Sequence, residues 1–309
     1  MEKIAVLMGG VSNERKVSLA SGRNVVEGLR SLGRYEVVPV VLDAERIGSL
    51  PPGTARAFIA LHGGWGENGG VQAELDRLGI PYTGPGAAAS RIAMDKAKTK
   101  EVLERNSVNT PAWALAAPDA PSCPLPLPAV VKPPCDGSSV GISKVSTAEE
   151  WAAARDIAVA AQGGTGDVLV EEYIPGREFT VPVLDGKAWS PIEIVTKSGW
   201  YGYDEKYKSD ETKYPFVGDD ERAAGGEGLA DALCSAALAA YRALGCRGIV
   251  RVDFRVSPEG RPYVLELNTS PGFTSHSLVP KAGMRGGATF GEVCEAVLSC
   301  AACDRGGAS

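Results

Sequence analysis

The sequence predicts an α/β protein with an N-terminal parallel-sheet domain followed by two further α/β units. Strands alternate with helical segments over residues 1–88, which implies a parallel sheet covered on both faces. A new run of strands begins near residue 128, after a proline-rich stretch, and two apolar segments joined by a short turn follow near the C-terminus. A chain of 309 residues suits two or three domains. The expected boundaries are 1–88, 89–180 and 181–309.

Taken in order, KIAVLM (3–8) reads as a strand, residues 14–32 as a helix, and YEVVPVVLD (35–43) and AFIALHG (57–63) as strands. Residues 69–79 form a short helix because Val71, Leu75 and Leu78 recur at helical spacing. Ligands of parallel sheets bind beyond the carboxyl ends of the strands, where Gly9-Gly10-Val11-Ser12 and His62-Gly63-Gly64 stand. IPYTGPG (80–86) marks the exit from this domain. A helix follows over about Ser90 to Arg105. Residues 111–128 contain six prolines, which excludes regular helix and predicts an extended connector. PAVVKP, DVLVEEY and EFTVPVL then read as strands, with a helix near 148–160 and an Ala-rich amphipathic helix over 225–244. GIVRVDFRV (248–256) and PYVLELN (262–268) flank Ser257-Pro258-Glu259-Gly260 and read as a β-hairpin.

The net charge of −6 argues against a general nucleic-acid binder but leaves room for a small basic pocket. No segment is long and apolar enough to span a membrane, and the apolar run before Gly9 is too short for a signal peptide, so a cytoplasmic protein is expected. Seven scattered cysteines argue against a disulfide framework. Cys300 and Cys303 form a CxxC with no second pair and read as the end of a C-terminal helix.

The chemistry concentrates in the hairpin. Asp253, Glu266 and Asn268 offer only oxygen donors, the set that hard cations such as Mg²⁺ take together with phosphates and water. Glu266 and Asn268 are spaced by two, so on a strand they share a face. This points to a magnesium–nucleotide site with Arg251 beside it. A charged surface hairpin is the plainer alternative, and the apolar neighbours disfavour it.

Asp136 to Gly141 follows the strand ending in Lys132 and is rich in small residues, so backbone N–H groups can turn toward an anion. By itself a hairpin turn explains it equally well. Neither a Walker loop nor GxGxxG is present. Glu171, Glu172 and Ile174 end one strand and Glu178 opens the next, an arrangement suited to an exocyclic amine, an adenine edge and ribose hydroxyls. Taken alone, a charged hairpin end is the simpler account of them. Residues 198–215 are long, charged and aperiodic, and read either as a lid bringing Lys206 and Tyr207 onto a substrate or as a surface excursion. Five tyrosines and tryptophans in that stretch favour the lid. His62 and His276 have no cysteine or GxSxG partner for nucleophilic catalysis, which leaves them supporting roles.

Taken together these segments resemble the D-alanine–D-alanine ligases of the ATP-grasp superfamily. The likeness runs in order through GGVSNERKVSLASG (9–22), LHGGWGENGGVQAELDRLGIPYTG (61–84), MDKAKTK (94–100), VVKPPCDGSSVGISKV (130–145), VEEYIPGREFTV (170–181), YDEKY (203–207), RVDF (251–254) and ELNTSPGFTSHSLVP (266–280). It implies a pre-ATP-grasp domain followed by a two-domain ATP-grasp fold. It implies that ATP phosphorylates one D-alanine carboxylate to an acyl phosphate, which the amine of a second D-alanine attacks.

By the family pattern, Asp253, Glu266 and Asn268 would hold two Mg²⁺ ions, for which Mn²⁺ is a possible substitute, and Lys96, Lys132 and Ser138 would sit at the phosphates. Glu171, Glu172, Ile174 and Glu178 would hold adenine and ribose. Arg251 and the Gly272 N–H would stabilise the oxyanion, and Lys206 would reach the transferring phosphoryl group. Glu14 would take the first D-alanine's ammonium, linked through Ser138 and Tyr207 to the lid. Ser277 and the Leu278 backbone would receive the second carboxylate, with His62 nearby. The resemblance also implies a homodimer, with neither nucleic acid nor membrane as partner.

Tyr207 favours D-alanine as the second substrate, since the related D-alanyl–D-lactate ligases carry another residue there. Lys16, Asn68, Gly202 and Glu205 depart from the common pattern without removing a proposed catalytic group. D-serine or D-lactate ligation, another carboxylate–amine ligase and a non-catalytic nucleotide-binding regulator are the competing readings. Glu14 and Ser277 argue against the second of these, and the retained Arg251 against the third.

Overall fold

Residue patterning in the first strand decides how the N-terminal layer is built. In the computed structural model, which describes residues 1–137, 140–197, 211–218 and 220–304, strand β1 (Glu2–Gly9) sends Ile4, Val6 and Met8 to one face and Ala5 and Leu7 to the other. Helix α1 (Arg15–Ser31), strands β2 (Tyr35–Leu42) and β3 (Thr54–Ile59) and helix α2 (Gly70–Leu78) follow. The strands pair in parallel in the order β2-β1-β3, as the alternation predicts. Val71 and Leu75 of α2 cover one face, and Val25 and Leu29 of α1 cover the other.

The helix expected over 90–105 is two helices, α3 (Ala87–Met94) and α4 (Lys96–Arg105). Asp95 breaks it: its backbone is extended, and its carboxylate caps α4 by accepting the Lys98 N–H at 3.1 Å. Such a cap contributes about 1 kcal/mol. Helical propensity alone ran the two helices together because Asp is a mild breaker and a strong N-cap.

The proline-rich segment is not wholly a connector. Its start forms β4 (Trp113–Ala116), a four-residue edge strand between Pro111 and Pro118. Edge strands tolerate such flanking sequence because only one side of the ladder must be satisfied. With β5 (Ala129–Lys132), β6 (Ser143–Val145) and β7 (Val168–Glu172) it makes an antiparallel sheet ordered β4-β7-β5-β6, on which α5 (Trp151–Ala161) packs.

The last sheet is ordered β10-β8-β11-β12. It comprises β8 (Arg177–Leu184), β10 (Ile192–Ile194), β11 (Ile249–Val256) and β12 (Pro262–Asn268), and β9 (Lys187–Ala188) pairs with β8. The Ala-rich helix α6 (Leu229–Ala243) begins four residues later than expected, after Gly228, and packs on this sheet. Val250, Val252, Phe254 and Val256 of β11 are buried against it. Burial of such side chains stabilises by about 1.5–3 kcal/mol each.

Two short helices close the described chain, α7 (Leu278–Met284) and α8 (Phe290–Ser299). Helix α8 returns to the N-terminal layer, where Val293, Cys294, Val297 and Leu298 join the core beneath α1. Cys300 is its C-cap residue, and all seven cysteines are free thiols. No helix of the described residues is long and apolar enough to cross a membrane.

Candidate active site

The apolar face of β11 is committed to the core, so its alternate residues turn outward: Asp253 and Arg255 line the cleft between the two antiparallel sheets, and Arg251 lines a neighbouring cavity. Antiparallel register sets Asp253 opposite Glu266 and Arg251 opposite Asn268. The register shifts between Asp253 and Phe254, and a bulge of this kind re-aims the residues beside it.

Asp253 is held from several sides. It accepts from Arg251 Nε at 2.9 Å and Nη2 at 2.7 Å, from Thr180 Oγ1 at 2.6 Å and from Asn268 Nδ2 at 2.9 Å. Asn268 therefore keeps Oδ1 as the atom it can offer a cation. Lys96 Nζ lies 3.1 Å from Glu266 Oε2 and donates to the Asp136 carbonyl at 2.6 Å. Burial pushes the Lys96 amine down, but the Glu266 carboxylate more than offsets this and leaves it above the usual lysine value. The break at Asp95 makes this contact, since the first residue of α4 also gives its backbone N–H to Pro134 at 2.9 Å.

Among the described residues no three His, Cys, Asp or Glu side chains cluster as metal ligands. The donor set is instead two facing carboxylates and a carboxamide. This fits Mg²⁺, which takes few protein oxygens and completes its shell with phosphate and water.

Two cavities flank the hairpin. One runs between the antiparallel sheets and is lined by Lys132, Glu171, Glu172, Ile174 and Glu178, facing Asp253, Arg255 and Glu266. Glu171 is buried within this wall, with Lys132 Nζ at 2.6 Å from one carboxylate oxygen and Lys100 Nζ at 2.8 Å from the other. Burial would raise the Glu171 carboxyl, but the two ammonium groups outweigh it and hold it below the usual carboxylate range. Arg255 binds the carbonyls of Ile174 at 3.2 Å and Gly176 at 2.9 Å and lies 3.6 Å from Glu178. The Glu172 N–H is given to the Ala112 carbonyl at 2.8 Å.

The second cavity, of about 600 Å³, is lined by Glu14, His62, Arg251, Asn268, Gly272, Ser277 and Leu278, with Lys16, Gly137 and His276 also at its wall. Glu266 belongs to both cavities. Glu14 stands at the N-terminus of α1, and its carboxylate lies so close to Gly63 that a Cβ there would approach within 2.6 Å. Gly63 adopts φ +70°, a conformation that favours glycine there. Ser277 stands at the N-cap position of α7 without a side-chain cap, its hydroxyl accepting the Thr274 N–H at 3.0 Å, and the Leu278 N–H is among those without an intrahelical acceptor.

His62 is buried, with Nδ1 2.8 Å from the Ser270 carbonyl and Nε2 2.9 Å from Ser21 Oγ. A carbonyl only accepts, so Nδ1 carries the proton. Ser21 Oγ, the partner of Nε2, also accepts the Phe273 N–H at 3.1 Å. His62 thus fastens the 270–273 segment to the end of the parallel sheet.

Residues 106–299 match the family model described as D-Ala–D-Ala ligase C-terminus. The D-alanine–D-alanine ligase of Anaeromyxobacter dehalogenans strain 2CP-C is 42% identical over 309 residues, covering 97% of each chain. This chain belongs to the D-alanine–D-alanine ligase family. The D-alanine–D-alanine ligase of Bordetella petrii is 41% identical across 97% of this chain and 92% of its own. Among solved structures, the Bacillus anthracis D-alanine–D-alanine ligase complexed with ATP superposes with a TM-score of 0.81 at 31% identity, over 97% of each chain. The VanG D-Ala:D-Ser ligase of Enterococcus faecalis gives 0.80 at 27% identity, over 96% of this chain and 98% of its own.

Most of the residues singled out from this ligase-family sequence line the two cavities. Ser138, Lys206 and Tyr207 lie outside the described residues. Sequence reasoning missed Arg255, Lys100 and Ser21. Alternation from Asp253 would have found Arg255, and the four-residue helical step from Lys96 would have found Lys100. Ser21 falls within the 9–22 segment, but no local pattern points to its partners 41 and 252 residues away.

Proposed function

We propose that this protein ligates two D-alanine molecules to D-alanyl–D-alanine at the expense of ATP, releasing ADP and phosphate, for peptidoglycan precursor synthesis. The observation that carries the reading at this site is the placement of Glu266 on the wall of both cavities. A nucleotide in one and a carboxylate substrate in the other would meet beside it. Family membership supplies the substrates. It rests on 42% identity to a D-alanine–D-alanine ligase.

In this reading Asp253, Glu266 and Asn268 hold two Mg²⁺ ions. When bound, these (or Mn²⁺) neutralise phosphate oxygens and orient the transferring group. Lys132 and Lys96 add fixed positive charge at the phosphates, and Glu171, Glu172, Ile174 and Glu178 bind adenine and ribose. Arg251 and the Gly272 N–H stabilise the tetrahedral oxyanion, where preorganised donors contribute most. Glu14 receives the first D-alanine's ammonium, Ser277 and Leu278 the second carboxylate, and His62 positions the segment between them. The family pattern would add Ser138 and Lys206 at the phosphates and Tyr207 toward the first substrate.

We also propose three units with boundaries 1–88, 89–180 and 181–309, with α8 returning to the first. A cytoplasmic homodimer belongs to the same proposal.

The test is phosphate release from ATP and Mg²⁺ with D-alanine, with L-alanine, and with D-alanine mixed with D-serine or D-lactate, the products identified by mass. Turnover with D-alanine alone and formation of the D,D-dipeptide is the expected result. Product only in a mixture would move the chain to a ligase of different second substrate. ATP binding without turnover would leave a regulator.

A further inference from the structure

Helix α4 presents two lysines to two different carboxylates. Lys96 reaches Glu266 on the hairpin, and Lys100, one turn later, reaches Glu171 on the opposite wall. Lys96 has a place in the proposed reaction. Lys100 has none, although it is fully buried with its ammonium 2.8 Å from Glu171 and 2.7 Å from Thr110 Oγ1. It sits behind Glu171 and does not line the nucleotide cavity. Thr110 passes the contact on, donating to the Val264 carbonyl of β12 at 2.8 Å. One buried ammonium thus ties α4 to both walls of the cleft.

The charge count gives this lysine a purpose. Glu171 carries one negative charge and is shared by two cations, Lys100 and Lys132. A lone Glu171–Lys132 pair would be neutral, and Lys132 would have little attraction left for an anion. With Lys100 present the cluster holds a surplus positive charge, and Lys132 is its member on the cavity wall. We propose that Lys100 is a positioning residue for nucleotide binding: it takes up part of the Glu171 carboxylate from behind, so that Lys132 faces the phosphate anion with its charge uncompensated. This rests on the nucleotide reading of the cavity given above.

A surplus charge held in a buried place has a measurable consequence. Burial, with repulsion from Lys132, lowers the Lys100 amine to about 8 despite the opposing pull of Glu171. The ionisable groups acting on it are Glu171 of β7, Lys132 of β5 and Glu104 of its own helix; Lys96, one turn earlier, is engaged by Glu266. A bound polyphosphate favours the charged amine. Above about pH 8, nucleotide binding should therefore take up a proton, and affinity should fall as the pH rises through that value.

The experiment is calorimetric titration of the full-length protein with Mg–ADP, half a unit or more above that value, in two buffers of different ionisation heat. Lys100→Met is titrated in parallel, and thermal melting establishes that it is folded. Net proton uptake by the wild type, absent in the variant, is expected. The variant should bind about tenfold more weakly, with the kinetic loss falling on KM for ATP more than on kcat. Wild type that binds Mg–ADP without proton uptake overturns the proposal whether or not the variant folds. A folded variant that retains the uptake, or that loses kcat rather than affinity, also overturns it. Wild type that binds no Mg–ADP overturns both this proposal and the nucleotide reading beneath it.

Discussion

The two charged clusters on either side of the cleft use the same side-chain types to opposite ends. On the wall, Lys100, Glu171 and Lys132 have side chains 0%, 3% and 7% exposed, and the carboxylate is enclosed between ammonium groups. On the hairpin, Asp253 is 10%, Arg251 17% and Glu266 26% exposed, and Glu266, the most open of them, lies on the wall of both cavities. An enclosed carboxylate has no room for a cation and serves as a fixed electrostatic floor. A half-open one can exchange a lysine contact for a metal ion. The difference separates a group that stabilises the fold from one available for chemistry. Removing the carboxylate should therefore cost stability first at the wall, along with the nucleotide binding assigned to that wall, and turnover first at the hairpin.

The strongest way to break this contrast is Glu266→Gln. It removes one facing carboxylate from a partly open site, so phosphate release with D-alanine should drop at least about 10²-fold. Unfolding in denaturant should shift little. A rate within tenfold of wild type would remove Glu266 from the metal site.

Glu171→Gln should do the reverse. It strands two buried ammonium groups without a counter-charge, a loss of about 3–5 kcal/mol in unfolding free energy. If denaturant titration finds it as stable as Glu266→Gln, the two clusters are alike and the comparison fails.

Acid and base should sharpen the picture. The Glu171 carboxyl lies below its ordinary 4.5 in the folded protein, so its contribution to stability is complete above 4.5 and is lost as the pH falls beneath it. The Lys100 amine is lowered from 10.5 to about 8, so the unfolded chain binds the extra proton between those values and stability rises with pH across that window. Unfolding free energies measured from pH 8 to 10.5 should show that rise, and Lys100→Met should flatten it. A rise of the same size in the variant would assign it to another group.

The smallest expected effect is Thr110→Val, which deletes one contact of Lys100 and its link to Val264. A cost of about 1 kcal/mol in stability is expected. A neutral result would show that Glu171 alone holds Lys100.

Much of the fold was legible in the residues because its signals are local. Alternation on β1 and β11 assigned strand faces, and Pro258 with Gly260 located the hairpin turn. The same periodicity placed Asp253, Glu266 and Asn268 together, because register in an antiparallel pair follows from the turn. Errors arose where context overrode propensity. Asp95 divided one expected helix into two, and an edge strand formed between Pro111 and Pro118.

What the sequence determined by itself, then, was element type, the oxygen-only donor set and the family, all carried by neighbours in the chain. The tertiary structure alone decided which distant groups share a proton or a charge. Ser21, His62 and Ser270 meet across the chain in one hydrogen-bonded link. Lys100 and Lys132 come from different elements to divide one carboxylate. No local pattern encodes such contacts, because their energy comes from burial and close approach, which exist only once the sheets have packed.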